Sequence, residues 1–419
     1  MSTTIIAGAN IFDATGAAPY TGDVAVEAGR ITAVSRTPGQ ISRAGCQVID
    51  AKGLFLMPGM VEGHAHLSFD NVSGPEDLMR PPTEEHVLLT ARVAKRLLDQ
   101  GFTSAYGASE AKLRLGVAIR NEIDAGRIPG PRVRAGSLEI TVTGGMGDES
   151  RNHLKREGVS IVVDGPEEMR KAVRMSCREG CDNIKLDVSG DPFYPAHAKI
   201  TPMALEEIQI AVETAHSFGR KVNAHTRSLE GTQKCLKAGV DVLFHCEYSD
   251  EETLDLLEEA KDRVFVAPSI ALLHTMLNEA SAFGITREVA TAMGIADLLE
   301  NSQKTHTALR KRGIRHSIGG DYGLAFCQNG TNARDLQYFV DYYGYRPEDA
   351  LICATRNGGL QMRSEGDLGT IRSGSLADIL LVNGDPLQDL SILTDAARLV
   401  LIMKNGEVYK NALTRRNEA

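Results

Sequence analysis

The sequence lacks any apolar run near the ~20 residues that a membrane-spanning helix needs, and its start, MSTTIIAGANIFDATG, lacks the basic and long apolar segments of a secretory signal. A cytoplasmic protein with no membrane partner is expected. Excess positive charge is missing too: 46 Lys and Arg stand against 55 Asp and Glu, a formal net charge of -9, which leaves no basic field to condense on phosphate backbones. Nucleic acid is not an expected partner. Cysteine is sparse, with 7 in 419 residues, and the close pair Cys177 and Cys181 has no second pair at zinc-ligand spacing. Reduced, buried thiols follow. There is no G-x-x-x-x-G-K-[ST] phosphate loop, no GxGxxG at the first βα turn, no internal repeat and no low-complexity linker. The stretches Gly144-Gly145-Met146-Gly147 and Gly319-Gly320 read as tight loops.

What is present is ordinary globular composition, 42% hydrophobic and 24% charged, in a chain too long for one core, so a large domain with a smaller companion is expected. Between about residues 54 and 321, eight short β-branched or apolar runs end at His66, Tyr106, Ile140, Val188, His225, His245, Ile270 and Asp321. Segments of helical period lie between them, at residues 85–100, 166–179, 203–218, 230–238, 251–260 and 287–312. Eight βα units over about 270 residues match an α/β fold of the (β/α)8 barrel type. Both ends differ from this block. Residues 1–57 and 368–412 read as short strands with hairpin punctuation, such as Asn405-Gly406, and predict a small discontinuous β-sandwich built from both termini. The expected division is sandwich 1–57, barrel 58–367, sandwich 368–412 and a tail at 413–419.

Polar, metal-capable residues fall at the ends of these runs. His64 and His66 stand two apart in the first, so the period of a strand puts both imidazoles on one side. Lys185 lies in the fourth run, His225 closes the fifth, His245 the sixth and Asp321 the eighth. A barrel gathers the carboxyl ends of its strands on one face, so these six side chains would share a mouth. Four neutral imidazoles and a carboxylate suit zinc or a similar divalent ion. An ammonium cannot bind a cation, but a lysine amine that has reacted with carbon dioxide presents two carbamate oxygens and can bridge two ions.

Taken in order, H-x-H after MPGMVEG, Lys185 in IKLDVSG, His225 in NAHT, His245 in LFHCE, Asp321 in GGD and the late LADILLVNGDP resemble the amidohydrolase superfamily over nearly the whole chain. The IKL-x-x-SG context is similar to its prolidase-like branch, which includes Xaa-Pro dipeptidase-like and carboxypeptidase-like enzymes. GGDYG with GTNARDL resembles that branch's phenylurea and thiocarbamate hydrolases.

The resemblance implies a homo-oligomeric, metal-dependent amidohydrolase with two divalent ions, zinc first and cobalt or manganese as substitutes. His64, His66 and Asp321 would hold one ion, His225 and His245 the other, and N6-carboxylated Lys185 would span both. It further implies a hydroxide shared between the ions as nucleophile, and Asp321 as catalytic general base and then acid, cleaving an amide-type C–N bond in a carboxamide, urea, carbamate or small dipeptide-like substrate.

Two departures stand out. Glu62 replaces the usual Asp of D-x-H-x-H, which alters support behind the ligands rather than ligation. Met146 stands where dipeptidase-like members often have a histidine, in GGHG, which favours a more apolar substrate. Candidate substrate contacts are Met146, Arg227, Tyr248, His153 and His274, with His197 on the same face. Arg227 reads equally as a carboxylate clamp or as a guanidinium paired to a loop acid, and Tyr248 as a donor to the carbonyl oxygen or as a rim aromatic. His216, His306 and His316 read as surface or packing residues, and Glu62, Asp187 and Glu247 as partners of the ligands. Two rivals remain. A mononuclear deaminase of a heterocycle typically adds a glutamate soon after the fifth-strand histidine, whereas Thr-Arg-Ser-Leu follows His225 and Lys185 would be idle. A non-catalytic barrel scaffold would show a lost ligand, and none is lost.

Overall fold

The computed structural model describes residues 3–154, 158–363 and 365–413; residues 414–419 of the expected tail lie outside the described residues. In chain order, the first strands are β1 (Thr4–Ile11), β2 (Tyr20–Glu27), β3 (Arg30–Ser35), β4 (Gln47–Asp50) and β5 (Phe55–Pro58). The barrel strands follow: β6 (Met60–Ala65), β7 (Phe102–Gly107), β8 (Arg132–Arg134), β9 (Gly136–Thr141), the short β10 (Ser160–Val162), β11 (Asn183–Asp187), β12 (Lys221–Thr226), β13 (Val242–His245) and β14 (Phe265–Ala267). The last three are β15 (Ile379–Val382), β16 (Leu399–Lys404) and β17 (Glu407–Asn411).

Both termini meet in one separate sheet of order β17-β16-β15-β5-β1-β2-β3, with β4 also paired to β1. The small sandwich is thus a single sheet that branches at β1. Period-two alternation explains how it attaches. Along β15, Ile379 and Leu381 pack with Ile6, Ile11 and Leu56 in the core of the sheet, while Leu380 and Val382 point the other way, into the core shared with Phe102 and Leu97 of the barrel. All four are fully buried, so this strand reads as a continuous apolar run.

The barrel itself is parallel throughout. β6, β7 and β8 pair in one group, and β9, β11, β12, β13 and β14 in another. The third run is therefore two strands: β8 pairs with β7 and β9 with β11, and the Ala135 carbonyl between them accepts from Asp182 and Asn183. The eighth run forms no regular strand. Instead Val266 donates to the Arg315 carbonyl, Ser317 to that of Val266, and Gly63 to that of Ile318, at 3.1, 3.0 and 2.9 Å, which joins β14 to β6 and closes the ring. The segment expected as one helix at 287–312 is two, Arg287–Ala292 and Ile295–Lys311, because Gly294 at φ +89° turns the chain left-handed between them.

Helices cover the strands by their apolar stripes. Pro166–Arg178 buries Met169, Ala172, Val173 and Cys177, spaced three, one and four apart, in the same core as Ile184 and Leu186 of β11. Among the described residues no helix is long and apolar enough to cross a membrane.

A polar seam ties barrel to terminal sheet. The Arg132 guanidinium on β8 meets the Asp378 carboxylate at 2.6 Å and also Asn405, and Asp378, 1% exposed, accepts the Asn405 N–H at 2.8 Å. Arg132→Ala leaves that carboxylate buried without its cation. Unfolding in urea should show a loss of about 3–5 kcal/mol, and Arg132→Leu combined with Asp378→Asn should recover part of it.

Candidate metal centre

Two glycines decide whether the first and eighth runs can touch. A Cβ on Gly63 would lie 2.5 Å from the Ile318 carbonyl oxygen, and one on Gly319 would lie 2.6 Å from the His64 backbone nitrogen. Without side chains there, the eighth run passes directly against β6. Asp321 then arrives with Oδ1 3.1 Å from His66 Nε2 and 3.7 Å from His64 Nε2.

Ring orientations follow from what each second nitrogen does. His64 Nδ1 is 2.9 Å from Ser269 Oγ. His66 Nδ1 meets Ser109, at 3.2 Å from its carbonyl and 3.1 Å from its hydroxyl, which itself donates to Glu139 at 3.1 Å. Both rings thus present Nε2 to Asp321. His225 places Nε2 3.2 Å from the Gly190 carbonyl. His64 also stacks on Phe244, centroids 3.7 Å apart, and the Lys185 ammonium lies 5.0 Å from that ring's centre.

Lone-pair bookkeeping shows what the cluster can hold. Among the described residues, His64 Nε2 and both nitrogens of His245 are buried without a hydrogen-bond partner, and donor atoms of His64, His245 and Asp321 all lie within 4.8 Å of one another. A buried polar nitrogen left bare is costly, whereas a cation would take the lone pair of His64 Nε2 and of one His245 nitrogen. The protonation states fit. Burial drives His64, His225 and His245 well below the usual imidazole value, so each is neutral and has a free lone pair. Burial opposes the charge on Asp321, but the His64 and His66 rings and the Lys185 ammonium outweigh it and hold the carboxyl well below its ordinary range. Lys185, 2% exposed, forms no ion pair among the described residues. The residues present therefore fit divalent cations.

Behind the ligands, Glu62 accepts the His64 N–H at 3.2 Å and the Asn332 amide at 2.8 Å, and burial followed by the Asp335 carboxylate pushes it up to about 8. Backbone strain gathers here as well. His245 (φ 76°), Cys246 (φ 63°), Ser269 (φ 58°) and Asp321 (φ 64°) are all left-handed without being glycine, at a cost on the order of 1–3 kcal/mol each.

Above the cluster opens a cavity of 380 Å³ whose floor is His66, Lys185, His225 and Asp321. Its walls include Phe69, Leu272, Phe193, Leu324 and Phe326. Met146 lines it; Arg227, Tyr248, His153 and His274 are not among its lining residues. Arg227 is 1% exposed, its guanidinium 2.8 Å from Asp191 and paired with Glu247, so of its two readings the structure shows the paired one. Tyr248 donates to Asp297 at 2.6 Å, as a rim aromatic would. His274 is held by the Tyr342 hydroxyl at 2.7 Å and by Glu279 at 3.2 Å, while His153 and His197 are exposed. Glu139 and Asp191 line the cavity and were not singled out in the sequence. Glu139 carried a usable signal, as the one acid in the apolar third run; Asp191 sits in a loop with none.

The model of the amidohydrolase family matches residues 55–409. Ochratoxinase of Aspergillus niger is 28% identical over 388 residues, covering 85% of this chain and 75% of that protein. Among solved structures, a Xaa-Pro dipeptidase with bound methionine shares 25% identity at a TM-score of 0.87, covering 98% of this chain and all of the other. Phenylurea hydrolase B shows the same fold at 20% identity and a TM-score of 0.75, covering 98% of this chain and 97% of its own. The chain belongs to the amidohydrolase family and is a hydrolase acting on C–N bonds.

Proposed function

We propose that the protein is a binuclear metal-dependent hydrolase of an amide-type bond in a small substrate with apolar, preferably aromatic, substituents. The observation that carries this reading is the convergence of His64, His66, Lys185, His225, His245 and Asp321 at one barrel mouth, with bare imidazole nitrogens facing inward. His64, His66 and Asp321 would hold one ion and His225 and His245 the other, with Lys185 as a carbamate spanning both. Two bound divalent cations would supply Lewis acidity, polarising the substrate carbonyl and acidifying a water to near neutrality.

This chain's own groups do the rest. Asp321 keeps 22% of its side-chain surface open, so its carboxylate can take the proton of the attacking water and pass it to the leaving nitrogen. The Ser109 carbonyl, which can only accept, holds the His66 ring in the tautomer that leaves Nε2 free, and Ser269 holds the His64 ring with Nε2 turned toward Asp321. Phe69, Leu272, Leu324 and Phe326 exclude water from the scissile bond. Arg227 spends its charge on Asp191 and Glu247, and Lys185 is committed to the floor, which leaves Arg151 as the remaining cation among the lining residues. A free carboxylate beside the scissile bond therefore has little to meet. The similarity to an ochratoxinase and to a phenylurea hydrolase supports apolar amide and urea substrates alongside dipeptides.

Metal analysis of protein purified with zinc and bicarbonate should give about two ions per chain, falling to about one in His225→Asn. Lys185→Ala should also lose an ion and regain it in part with added short-chain carboxylate. Fewer than one ion in the parent protein would overturn the reading.

A hydrolysis panel with zinc-, cobalt- or manganese-loaded enzyme tests the substrate class. Aryl amides, carbamates and aryl ureas should release amine with a higher kcat/KM than Xaa-Pro dipeptides, and Phe326→Ala should cost the aryl substrates about 10- to 100-fold. Ammonia from a heterocycle as the sole product would indicate a deaminase instead.

A further inference from the structure

His245 differs from the other three imidazoles. His64, His66 and His225 each have one ring nitrogen engaged by a serine or a carbonyl, whereas neither nitrogen of His245 has a hydrogen-bond partner among the described residues. Its ring packs against other rings, 4.3 Å from His225 and 5.6 Å from His64 between centroids, and its Nδ1 lies 4.0 Å from the Glu247 carboxylate, too far for a hydrogen bond. Its backbone is left-handed at φ 76° and is followed by Cys246 at φ 63°. A strained backbone of this kind persists only where surrounding contacts hold it.

The hold lies outside the cavity. His306, on the helix Ile295–Lys311, places Nε2 2.7 Å from the His245 carbonyl oxygen. Its Nδ1 is 3.0 Å from His316 Nε2, and His316 Nδ1 is 2.8 Å from the Tyr345 hydroxyl. Both histidines are wholly buried and Tyr345 is 9% exposed. A carbonyl can only accept, so His306 carries its proton on Nε2. In a neutral ring Nδ1 must then accept, which puts the His316 proton on Nε2, and His316 Nδ1 accepts from the Tyr345 O–H. No other arrangement of neutral rings satisfies all three contacts.

We infer that Tyr345, His316 and His306 form a one-directional hydrogen-bond relay whose task is to fix the His245 carbonyl, and through it the left-handed backbone that aims the His245 imidazole into the centre. They are positioning residues, placed by the helix Ile295–Lys311, the eighth run and the turn after the helix Arg334–Tyr343, for a side chain of the sixth run. The inference rests on His245 being a cation ligand.

The test compares the full-length protein with His306→Leu, His306→Gln and Tyr345→Phe. Cation affinity is read by chelator competition, the apo thermal midpoint is read separately, and histidine tautomers are read by ¹⁵N NMR of the apo protein. His306→Leu should weaken one of the two bound ions about 10- to 100-fold, His306→Gln, which keeps a donor near Nε2, should restore affinity, and Tyr345→Phe should fall between. The spectra should place the proton on Nε2 in both buried rings. If His306→Leu lowers the apo midpoint yet binds both ions with parent affinity, or if either ring carries its proton on Nδ1, the relay is overturned while the metal reading stands. If the parent protein binds no cation at saturating supply, both fall together.

Discussion

Backbone meets backbone between the first and eighth runs, and every distance at the centre depends on that approach. Gly63 and Gly319 face each other across it, and a methyl group on either would collide with main-chain atoms that cannot rotate away. Barrel closure and ligand convergence are therefore one event. The hydrogen bond from Gly63 to Ile318 closes the ring, and the same juxtaposition brings Asp321 to within 3.1 Å of His66. An eighth strand in regular register would point Asp321 by strand alternation alone. Here Asp321 is left-handed at φ 64°, and its carboxylate meets the His66 and His64 rings.

Charge is arranged around this closure in two layers. Inside, buried imidazoles and one carboxylate face a buried lysine that forms no ion pair among the described residues. Outside, the Arg227 guanidinium is matched by two acids. Arg227 lies between Asp191 and Glu247, and burial pushes Glu247 up to about 7 even with the guanidinium beside it. Removing either acid would leave the guanidinium under-compensated one shell away from His225 and His245. This triad maintains the field at the ligands, whereas a substrate clamp would need a guanidinium free to turn into the cavity.

The candidate ligands could be picked out in the sequence because each stands in or at the end of an apolar run, where a polar, metal-capable residue is out of place. The barrel is legible through eight apolar runs that alternate with segments of helical period. What escapes is whatever depends on a contact between distant segments. The third run splits at Ala135 because two neighbours compete for its pairing, and nothing local to RVRAGSLEI marks that. Gly294 could be a tolerated helix glycine or a break, and only the left-handed turn between two packed helices decides it. His306 and His316 read alike as surface or packing residues from their own neighbours; they are buried where the helix Ile295–Lys311 meets the eighth run. Arg227 is the reverse case, where position suggests a pocket and pairing with loop acids withdraws it.

Selectivity is set by a different part of the molecule from reactivity. The floor of the cavity comes from strand ends whose geometry the barrel enforces, while Phe69, Phe193, Leu324 and Phe326 come from the connections above it. Loops can change without disturbing closure, which is why one barrel hosts many substrates. In this chain the walls are largely apolar, with Glu149 and Arg151 as charged exceptions, and the other charged groups gather near the floor. Under the proposed function a substrate carbonyl would be drawn to the floor, and apolar substituents would gain by covering the walls. Excluding water in this way also lowers the local dielectric, so the floor acts on the carbonyl more strongly than the same groups would in an open cleft. Orientation without a dedicated charge clamp is the consequence, and it separates the demands on this site from those of one that must grip a free carboxylate.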